Sequence, residues 1–265
     1  MKKKLFVLII CAGLNFGYSS VFAQENYKEM YEKKEFISDN GDTLFYRILY
    51  PVNYDKSLEY PLVLFLHGAG ERGNDNEKQL VHGGDLFASP MNMQKHPAIV
   101  VFPQCPENNI WSEELFFDKE GKYFTPNDTL TDQVELLIGL LNFLEKDESI
   151  DKNREYVMGL SMGGIGTIEM LCRQPNRFAA AIPMCPAHDP NLAERYQHVP
   201  IWFFHGALDD VISPDYSGML VAELRKLNAD VKYTVYPNAN HNCWDSAFQE
   251  PGLLDWLFGQ SHSNL

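Results

Sequence analysis

Short runs of apolar residues alternate along this chain with longer segments in which apolar residues recur every three or four positions. The short runs predict buried β-strands, because a strand covered on both faces presents apolar side chains at successive positions. The clearest run is Leu62-Val63-Leu64-Phe65-Leu66. The predicted strands comprise residues 44–50, 61–66, 98–103, 155–160, 179–184, 200–205 and 232–236.

The longer segments predict amphipathic helices at 131–146, 162–173, 216–227 and 251–258. Strands that alternate with helices are typical of a sheet with helices on both faces. The sequence therefore predicts an α/β fold with a mostly parallel central sheet. In such sheets ligands bind beyond the carboxyl ends of the strands, so functional residues are expected directly after strands.

A Gly-x-Ser-x-Gly pentapeptide, residues 159–163, lies where one predicted strand ends and a helix begins. A serine nucleophile projects from a sharp strand-to-helix turn, and the flanking glycines let other backbone segments pass close to it. The helix that follows directs its first N–H groups at the reaction centre. Ser161 is therefore a candidate nucleophile, although a tight turn with a solvent-facing serine has the same short pattern.

A serine hydroxyl needs a neighbouring base, usually a histidine that a carboxylate orients. In sheets of this design the three residues follow the chain order serine, acid, histidine. Here the strand 200–205 is followed by Asp209 and Asp210, and the strand 232–236 is followed by His241. The spacing His-Gly-x-x-Asp favours Asp209, with Asp210 as the alternative acid. Asp189 is a third candidate, but an Asp-Pro pair is also a common turn signal.

Four motifs together resemble the α/β-hydrolase superfamily over nearly all of the chain that follows its N-terminal segment. They are the sequence Leu66-His67-Gly68-Ala69-Gly70-Glu71-Arg72-Gly73, the pentapeptide with Gly164, the sequence His205-Gly206-Ala207-Leu208-Asp209, and His241. Within the superfamily the chain is most similar to secreted single-domain esterases. This group includes predicted peptidases, dienelactone hydrolases, phospholipase/carboxylesterases and feruloyl or acetyl-xylan esterases.

The resemblance implies a role for each matching residue. Ser161 is expected to be the nucleophile, His241 the general base and then acid, and Asp209 the carboxylate that orients His241. The backbone N–H groups of Ala69 and Met162 are expected to form the oxyanion hole. The His-Gly-Gly-Gly form of the first motif is absent, but its two glycines still allow the backbone to turn its amides inward. No cofactor or metal is expected, because the cysteines and histidines do not occur at metal-ligand spacing.

Residues 1–23 have the pattern of a secretory signal peptide. Three lysines precede an apolar run at 5–12, and Val21-Phe22-Ala23 supplies a small-residue cleavage site. We therefore expect residues 24–265 to form a single exported catalytic domain, either periplasmic or extracellular. No later run is long enough to predict stable membrane insertion. Cys11 raises lipid anchoring as an alternative, but Ile10 stands where a small residue is expected.

Removal of that segment leaves 19 basic side chains against 36 acidic ones, which makes nucleic acid an improbable partner. Four cysteines remain, at 105, 172, 185 and 243, and the sequence does not choose among their three complete pairings. Trp111 and Trp244 are candidates for the wall of a substrate pocket, because aromatic faces suit sugar and aryl groups. Core packing explains either tryptophan equally well.

These observations favour a secreted serine hydrolase that cleaves carboxylic esters through an acyl-enzyme. Feruloyl or acetyl esters of plant polysaccharides are the preferred substrates, by analogy with the exported esterases that it resembles. A serine peptidase of the prolyl-oligopeptidase type is the first alternative, although such enzymes usually carry a large additional domain. A non-catalytic binding protein on a hydrolase scaffold is the second. The sequence leaves the oligomeric state open.

Overall fold

The computed structural model describes residues 27–112 and 132–262, so the predicted signal peptide at 1–23 lies outside the described residues. Eight strands of the described ranges form one sheet. They are β1 (Glu32–Ile37), β2 (Thr43–Leu49), β3 (Tyr60–Leu66), β4 (Ile99–Pro103), β5 (Ile150–Leu160), β6 (Ala180–Met184), β7 (Ile201–Gly206) and β8 (Val231–Tyr236).

The helices of the described ranges follow the predicted pattern, with short additional ones. They are α1 (Gly84–Ala88), α2 (Pro90–Lys95), α3 (Asp132–Asp147), α4 (Met162–Arg173), α5 (Pro214–Lys226), α6 (Trp244–Ala247) and α7 (Leu253–Phe258). Short 3-10 segments occur at Tyr27–Met30, Ala69–Glu71, Lys78–Leu80 and Pro190–Tyr196. The four predicted helices correspond to α3, α4, α5 and α7; α4 has the predicted bounds, and the ends of the others differ by at most two residues.

The strand order is β1-β2-β4-β3-β5-β6-β7-β8. The first two pairings, β1 with β2 and β2 with β4, are antiparallel, and every later pairing is parallel. The carboxyl ends of β3 and β5 to β8 therefore point toward the same edge of the sheet. This arrangement confirms the predicted mostly parallel α/β fold.

Successive side chains of the central strands enter two different core layers. Leu62, Leu64 and Leu66 of β3 pack in the layer that contains α3 and α4. Val63 and Phe65 pack in the opposite layer with α1, α2 and α7. Both faces of the sheet are thus covered, which explains why β3 is an uninterrupted apolar run.

Strand β1 was not predicted, because its sequence Glu32-Lys33-Lys34-Glu35-Phe36-Ile37 lies at the edge of the sheet and is mostly exposed. Charged side chains are common on edge strands, where they discourage pairing with another chain. The first half of β5 was not predicted for a similar reason, because residues 151–154 are polar. The strand begins at Ile150 rather than near residue 155. Apolar periodicity detects strands through burial, so it misses exposed ones.

Candidate active site

Ser161 lies at the junction of β5 and α4 with φ of 53° and ψ of −120°. This left-handed conformation is costly for a residue with a side chain, and such strain concentrates at functional sites. The Ser161 N–H donates to the carbonyl of Met184 at 2.9 Å, which fixes the turn against β6. The hydroxyl is thereby held at the carboxyl edge of the sheet, in front of the first turn of α4.

The glycines around Ser161 are needed because other backbone segments touch them. A Cβ atom on Gly163 would overlap the carbonyl group of Leu66, and one on Gly159 would overlap the carbonyl of Gly163. A Cβ atom on Gly164 would overlap the carbonyl of Met184. Helix α4 therefore packs directly on the ends of β3 and β6, which fixes the serine with respect to the neighbouring loops.

His241 lies between the serine and a carboxylate. Its Nε2 atom is 2.8 Å from the Ser161 hydroxyl, and its Nδ1 atom is 2.8 Å from Oδ2 of Asp209. The two hydrogen bonds use the two ring nitrogens in the order that base catalysis needs: Nδ1–H donates to the carboxylate, and Nε2 accepts from the hydroxyl. Residues from three strand ends, separated by up to 80 positions, are thus brought into one linear array.

The Asp209 carboxylate is buried and fully engaged. Its Oδ1 atom accepts the backbone N–H groups of Val211 and Ile212, both at 2.9 Å. Burial alone would raise the pKa of Asp209, but the hydrogen bonds from His241, Ile212 and Val211 outweigh it and leave the pKa below its ordinary value. Asp209 is therefore an ionised acceptor that faces Nδ1 of His241.

The structure separates the three candidate acids. Asp210 is exposed, and its backbone N–H donates to the side chain of Asn240 at 3.2 Å. Asp189 caps the 3-10 segment that begins at Pro190, where Oδ1 accepts the N–H of Asn191 at 2.9 Å. Of these carboxylates, the one that the fold places against His241 is Asp209.

Sequence reasoning did not assign His205 to this site, yet it contacts Asp209. Its Nε2 atom lies 3.2 Å from Oδ2 of Asp209 and 2.9 Å from the carbonyl of Ile212. Its Nδ1 atom lies 2.7 Å from the Ser217 hydroxyl. Burial lowers the pKa of His205. The histidine thus packs behind the carboxylate and fixes the loop 206–212; the His-Gly pair at a strand end was the available signal.

One of the predicted oxyanion residues belongs to the elbow, and the other belongs to the loop after β3. Met162 is the first residue of α4, whose initial N–H groups have no partner within the helix. Ala69 begins the 3-10 turn after β3. The turn is close to the elbow, because a Cβ atom on Gly68 would lie 2.9 Å from the Leu160 side chain. The Arg72 guanidinium also donates to the Ala69 carbonyl at 3.0 Å. The role of the two amides stays a prediction.

His67, which precedes that turn, is a buried structural residue. Its Nε2 atom accepts the N–H of Cys105 at 2.9 Å, so its proton resides on Nδ1, which lies 2.6 Å from the Gly68 carbonyl. Burial lowers the pKa of His67 to about 4. The neutral ring therefore joins the loop after β3 to the loop after β4 and supports the position of Ala69.

The two tryptophans have different surroundings. Trp111 is fully buried, with its indole N–H donating to the His67 carbonyl at 3.1 Å and its Cβ packed against Gly166 of α4. Of the two interpretations offered for Trp111, this burial favours core packing over a pocket wall. Trp244 instead meets His241 edge to face at 5.4 Å. Of the two tryptophans, Trp244 is therefore the one that borders the array of Ser161 and His241.

One group of potential metal ligands occurs within the described ranges: Cys185, Asp209 and His241, whose donor atoms lie within 4.8 Å of one another. These atoms already hydrogen bond to protein groups, since Nδ1 of His241 is bound to Asp209 and the Cys185 thiol contacts Cys243. The hydrogen bond with Cys243 and burial raise the pKa of Cys185, so its thiol keeps its proton. The donor atoms of this group are therefore engaged in hydrogen bonds within the protein.

The sheet order, the strained elbow and the Ser–His–Asp array define an α/β-hydrolase. Residues 41–250 match the family described as "Putative esterase". This match spans well over half of the chain, so the protein belongs to that esterase family. The predicted resemblance is thereby confirmed.

Three similar proteins illustrate the relationship. The chain superposes on a thermostable esterase with a TM-score of 0.79 and 36% identity, over 89% of this chain and 64% of that one. It superposes on a ferulic acid esterase of Anaeromyces mucronatus with a TM-score of 0.62 and 17% identity, over 89% and 92% of the two chains. It is 29% identical to the bifunctional acetylxylan esterase/xylanase XynS20E of Neocallimastix patriciarum, over 58% of this chain and 20% of that protein.

The chain spans 64% of the length of the thermostable esterase and 20% of the length of the bifunctional acetylxylan esterase/xylanase. The likeness to the ferulic acid esterase, at 17% identity, concerns the fold. Within the described ranges, no helix combines the length and apolar character that a membrane span requires.

Proposed function

We propose that this protein is a serine carboxylic ester hydrolase that works through an acyl-enzyme. The observation that carries the proposal is the position of His241, which lies 2.8 Å from both the Ser161 hydroxyl and the Asp209 carboxylate. Membership of the esterase family supports an ester as the substrate. The strained turn at Ser161 supports its role as the nucleophile.

The reaction follows from this array. The Oγ atom of Ser161 attacks the ester carbonyl carbon while its proton passes to Nε2 of His241. The resulting oxyanion is stabilised by the N–H groups of Met162 and Ala69, beside the positive end of α4. His241 then gives its proton to the alcohol oxygen as the carbon–oxygen bond breaks, which leaves an ester of Ser161.

A water molecule completes the cycle. It attacks the acyl carbon, His241 accepts its proton, and the proton returns to Oγ of Ser161 as the carboxylic acid leaves. Asp209 keeps its negative charge throughout and stabilises the imidazolium that forms in each half-reaction. The depressed pKa of Asp209 suits this role, because the carboxylate stays ionised in the neutral pH range.

We further propose that the substrates are feruloyl or acetyl esters carried by plant polysaccharides and that the protein is exported. Ferulic acid and acetylxylan esterases among the similar proteins support the acyl groups. The lysine-rich and apolar segment at residues 1–23 supports export. The edge-to-face contact of Trp244 with His241 supports a substrate that carries an aryl or sugar group, because aromatic faces suit both.

Initial rates on p-nitrophenyl acetate, methyl ferulate and an alanine p-nitroanilide test this proposal, with the purified protein and its Ser161→Ala variant side by side. Turnover of the two esters that is abolished by the substitution is the expected result. Cleavage of the anilide alone would replace the esterase with a peptidase. Equal ester rates for the two proteins would overturn the assignment of Ser161, and no turnover of any substrate would favour the binding-protein alternative.

A further inference from the structure

Two cysteine thiols meet beside the candidate triad. The Sγ atoms of Cys185 and Cys243 are 2.9 Å apart, and both residues are fully buried. Packed carbon atoms, which are smaller than sulfur, usually stay about 3.5–4.0 Å apart. A disulfide bond needs about 2.05 Å, so a small movement of the two side chains would complete it. The two sulfur atoms are therefore closer to each other than packed atoms ordinarily are.

The two cysteines belong to different parts of the fold. Cys185 follows β6 with φ of 46°, and its N–H donates to the carbonyl of Phe204 on β7 at 2.9 Å. Cys243 lies two positions after His241 in the loop that follows β8, and its N–H donates to the His241 carbonyl at 2.9 Å. A bond between the sulfur atoms would fasten the histidine loop to the central sheet.

The Cys185 thiol also approaches the backbone of the histidine itself, since its Sγ atom is 3.1 Å from the His241 carbonyl oxygen. The contact is a weak hydrogen bond of the reduced form. The Cys185 side chain thus contacts both ends of the segment 241–243. Among residues 238–245, Cys243 is the most deeply buried. The loop is anchored to the protein interior at this point.

We propose that Cys185 and Cys243 form a disulfide bond that anchors the loop carrying His241. The bond forms by exchange with an external disulfide, either a small molecule such as oxidised glutathione or a protein oxidant. The two cysteines lose two electrons and two protons, and the external disulfide is reduced to two thiols. The cross-link stands independently of the proposed ester hydrolysis; only its benefit to catalysis rests on the role of His241.

The other two cysteines provide an internal comparison. Cys105 and Cys172 belong to the core layer on the opposite face of the sheet. The folded chain therefore does not bring Cys105 or Cys172 to the layer in which the Cys185 and Cys243 sulfur atoms meet. We expect both residues to remain thiols under conditions that oxidise Cys185 and Cys243.

Burial also determines when the bond forms. The Cys185 thiol keeps its proton in the folded chain, and exchange requires a thiolate that the oxidant can reach. Oxidation is therefore expected during folding, before the loop 237–243 closes over the sheet. Once formed, the bond is expected to resist mild reductants until the protein unfolds.

The cross-link is tested by refolding the denatured chain with a mixture of oxidised and reduced glutathione. The product is alkylated under denaturing conditions and digested, and its peptides are identified by mass. We expect the Cys185 and Cys243 peptides to be joined and two hydrogens lighter than the separate thiol peptides, with Cys105 and Cys172 alkylated. Alkylation of all four cysteines, or an even mixture of pairings, would overturn the proposal.

Thermal unfolding with and without dithiothreitol measures the effect of the bond. Closing a loop of 58 residues is expected to raise Tm by about 10 °C. Reduction should remove this gain from the refolded wild type and from a Cys172→Ala control. The Cys185→Ala/Cys243→Ala double variant should have the lower Tm under both conditions. If dithiothreitol lowered the Tm of the double variant as much as that of the wild type, the assignment of the bond to Cys185 and Cys243 would be contradicted.

An activity assay separates this proposal from the proposed function. If joined peptides are found but ester turnover is absent, the cross-link stands and the esterase proposal fails. If esters are hydrolysed but the peptides remain separate, the reverse holds. When both stand, the Cys185→Ala/Cys243→Ala double variant should have a kcat several-fold below that of the refolded wild type with little change in KM, because His241 is positioned less firmly while the binding surface is unchanged.

Discussion

Oδ2 of Asp209 lies 2.8 Å from Nδ1 of His241, and the other oxygen of the same carboxylate accepts two backbone N–H groups. The loop backbone thus holds one oxygen of the carboxylate, and the other oxygen faces the imidazole. Asp210, the next residue, points to solvent instead. The adjacent aspartates therefore form a matched pair in which one contacts the histidine and the other does not.

Asp209→Asn is expected to lower kcat by about 10³–10⁴-fold, because an amide favours the wrong tautomer of the histidine. Asp210→Asn removes the same charge from an adjacent residue and should stay within a factor of two or three of the wild type. Steady-state rates on p-nitrophenyl acetate, with circular dichroism to verify folding, measure both effects. Comparable losses in the two variants would contradict the assignment of the acid.

Gly163→Ala is expected to destabilise the protein by about 3 kcal/mol or more, because the new Cβ atom would overlap the backbone of Leu66 and His67. Gly218, inside α5, has open space where a Cβ would be placed. Gly218→Ala should therefore stabilise the protein by about 0.5–1 kcal/mol. Urea unfolding of both variants gives the two free energies. A neutral Gly163→Ala variant would refute the close approach of α4 to β3.

The buried histidines predict a loss of stability in mild acid. The pKa of His67 is about 4 in the folded chain and 6.5 in its ordinary state, so between these values the unfolded chain binds a proton that the folded chain does not. Stability from this residue is present above pH 6.5 and declines as the pH falls toward 4, by up to about 3 kcal/mol. The lowered pKa of His205 acts in the same direction.

Urea unfolding of the wild type and His67→Gln between pH 7.5 and 4.5 measures the contribution of His67. Glutamine does not titrate, and its side-chain oxygen is an acceptor that can face the N–H of Cys105. We expect the free energy of unfolding to fall less steeply with acid in the variant, although the variant starts lower at pH 7.5. The other titrating groups contribute equally to the pH dependence of both proteins, so their contributions cancel in the difference between the two slopes. Parallel slopes would mean that His67 is not buried as a neutral ring.

Trp244 is predicted to affect the binding of aromatic acyl groups. Its ring contacts His241 and His82, at 5.4 and 5.5 Å between centroids. Trp244→Ala should raise KM for methyl ferulate by about ten-fold, since an aromatic contact contributes about 0.5–1.5 kcal/mol beyond its buried area. KM for p-nitrophenyl acetate, measured in parallel, reports on a small acyl group and should change less. Trp244→Phe, which keeps an aromatic face, should retain most of the preference. Equal rises in both KM values would place the ring away from the acyl site.

Much of this site was predictable because each of its segments follows a strand. The motif around Ser161, the His-Gly-x-x-Asp spacing before Asp209 and the late polar loop at His241 are local patterns. The parallel sheet then brings them to one edge. The sequence predicted seven of the eight described strands for the same reason, since buried strands are apolar.

Contacts between distant loops were not predictable. The indole of Trp111 packs behind His67 rather than in a pocket, and the Cys185–Cys243 pair forms only when β6 and the histidine loop meet. Sequence patterns describe which residues are buried or follow strands, but they do not specify which of several similar side chains meet. The His-Gly-x-x-Asp spacing favoured Asp209 over Asp210, but the contact of its carboxylate with His241 depends on the direction of the turn in the folded chain.

The role of Ser161 as the nucleophile is tested most directly by covalent labelling. The purified protein is treated with a fluorophosphonate, digested and sequenced by mass spectrometry, beside the Ser161→Ala variant. We predict one label per chain on the peptide that contains Ser161, loss of ester turnover in step with labelling, and no label on the variant. A label elsewhere that also abolishes turnover, or ester turnover in the Ser161→Ala variant equal to that of the wild type, would contradict the account.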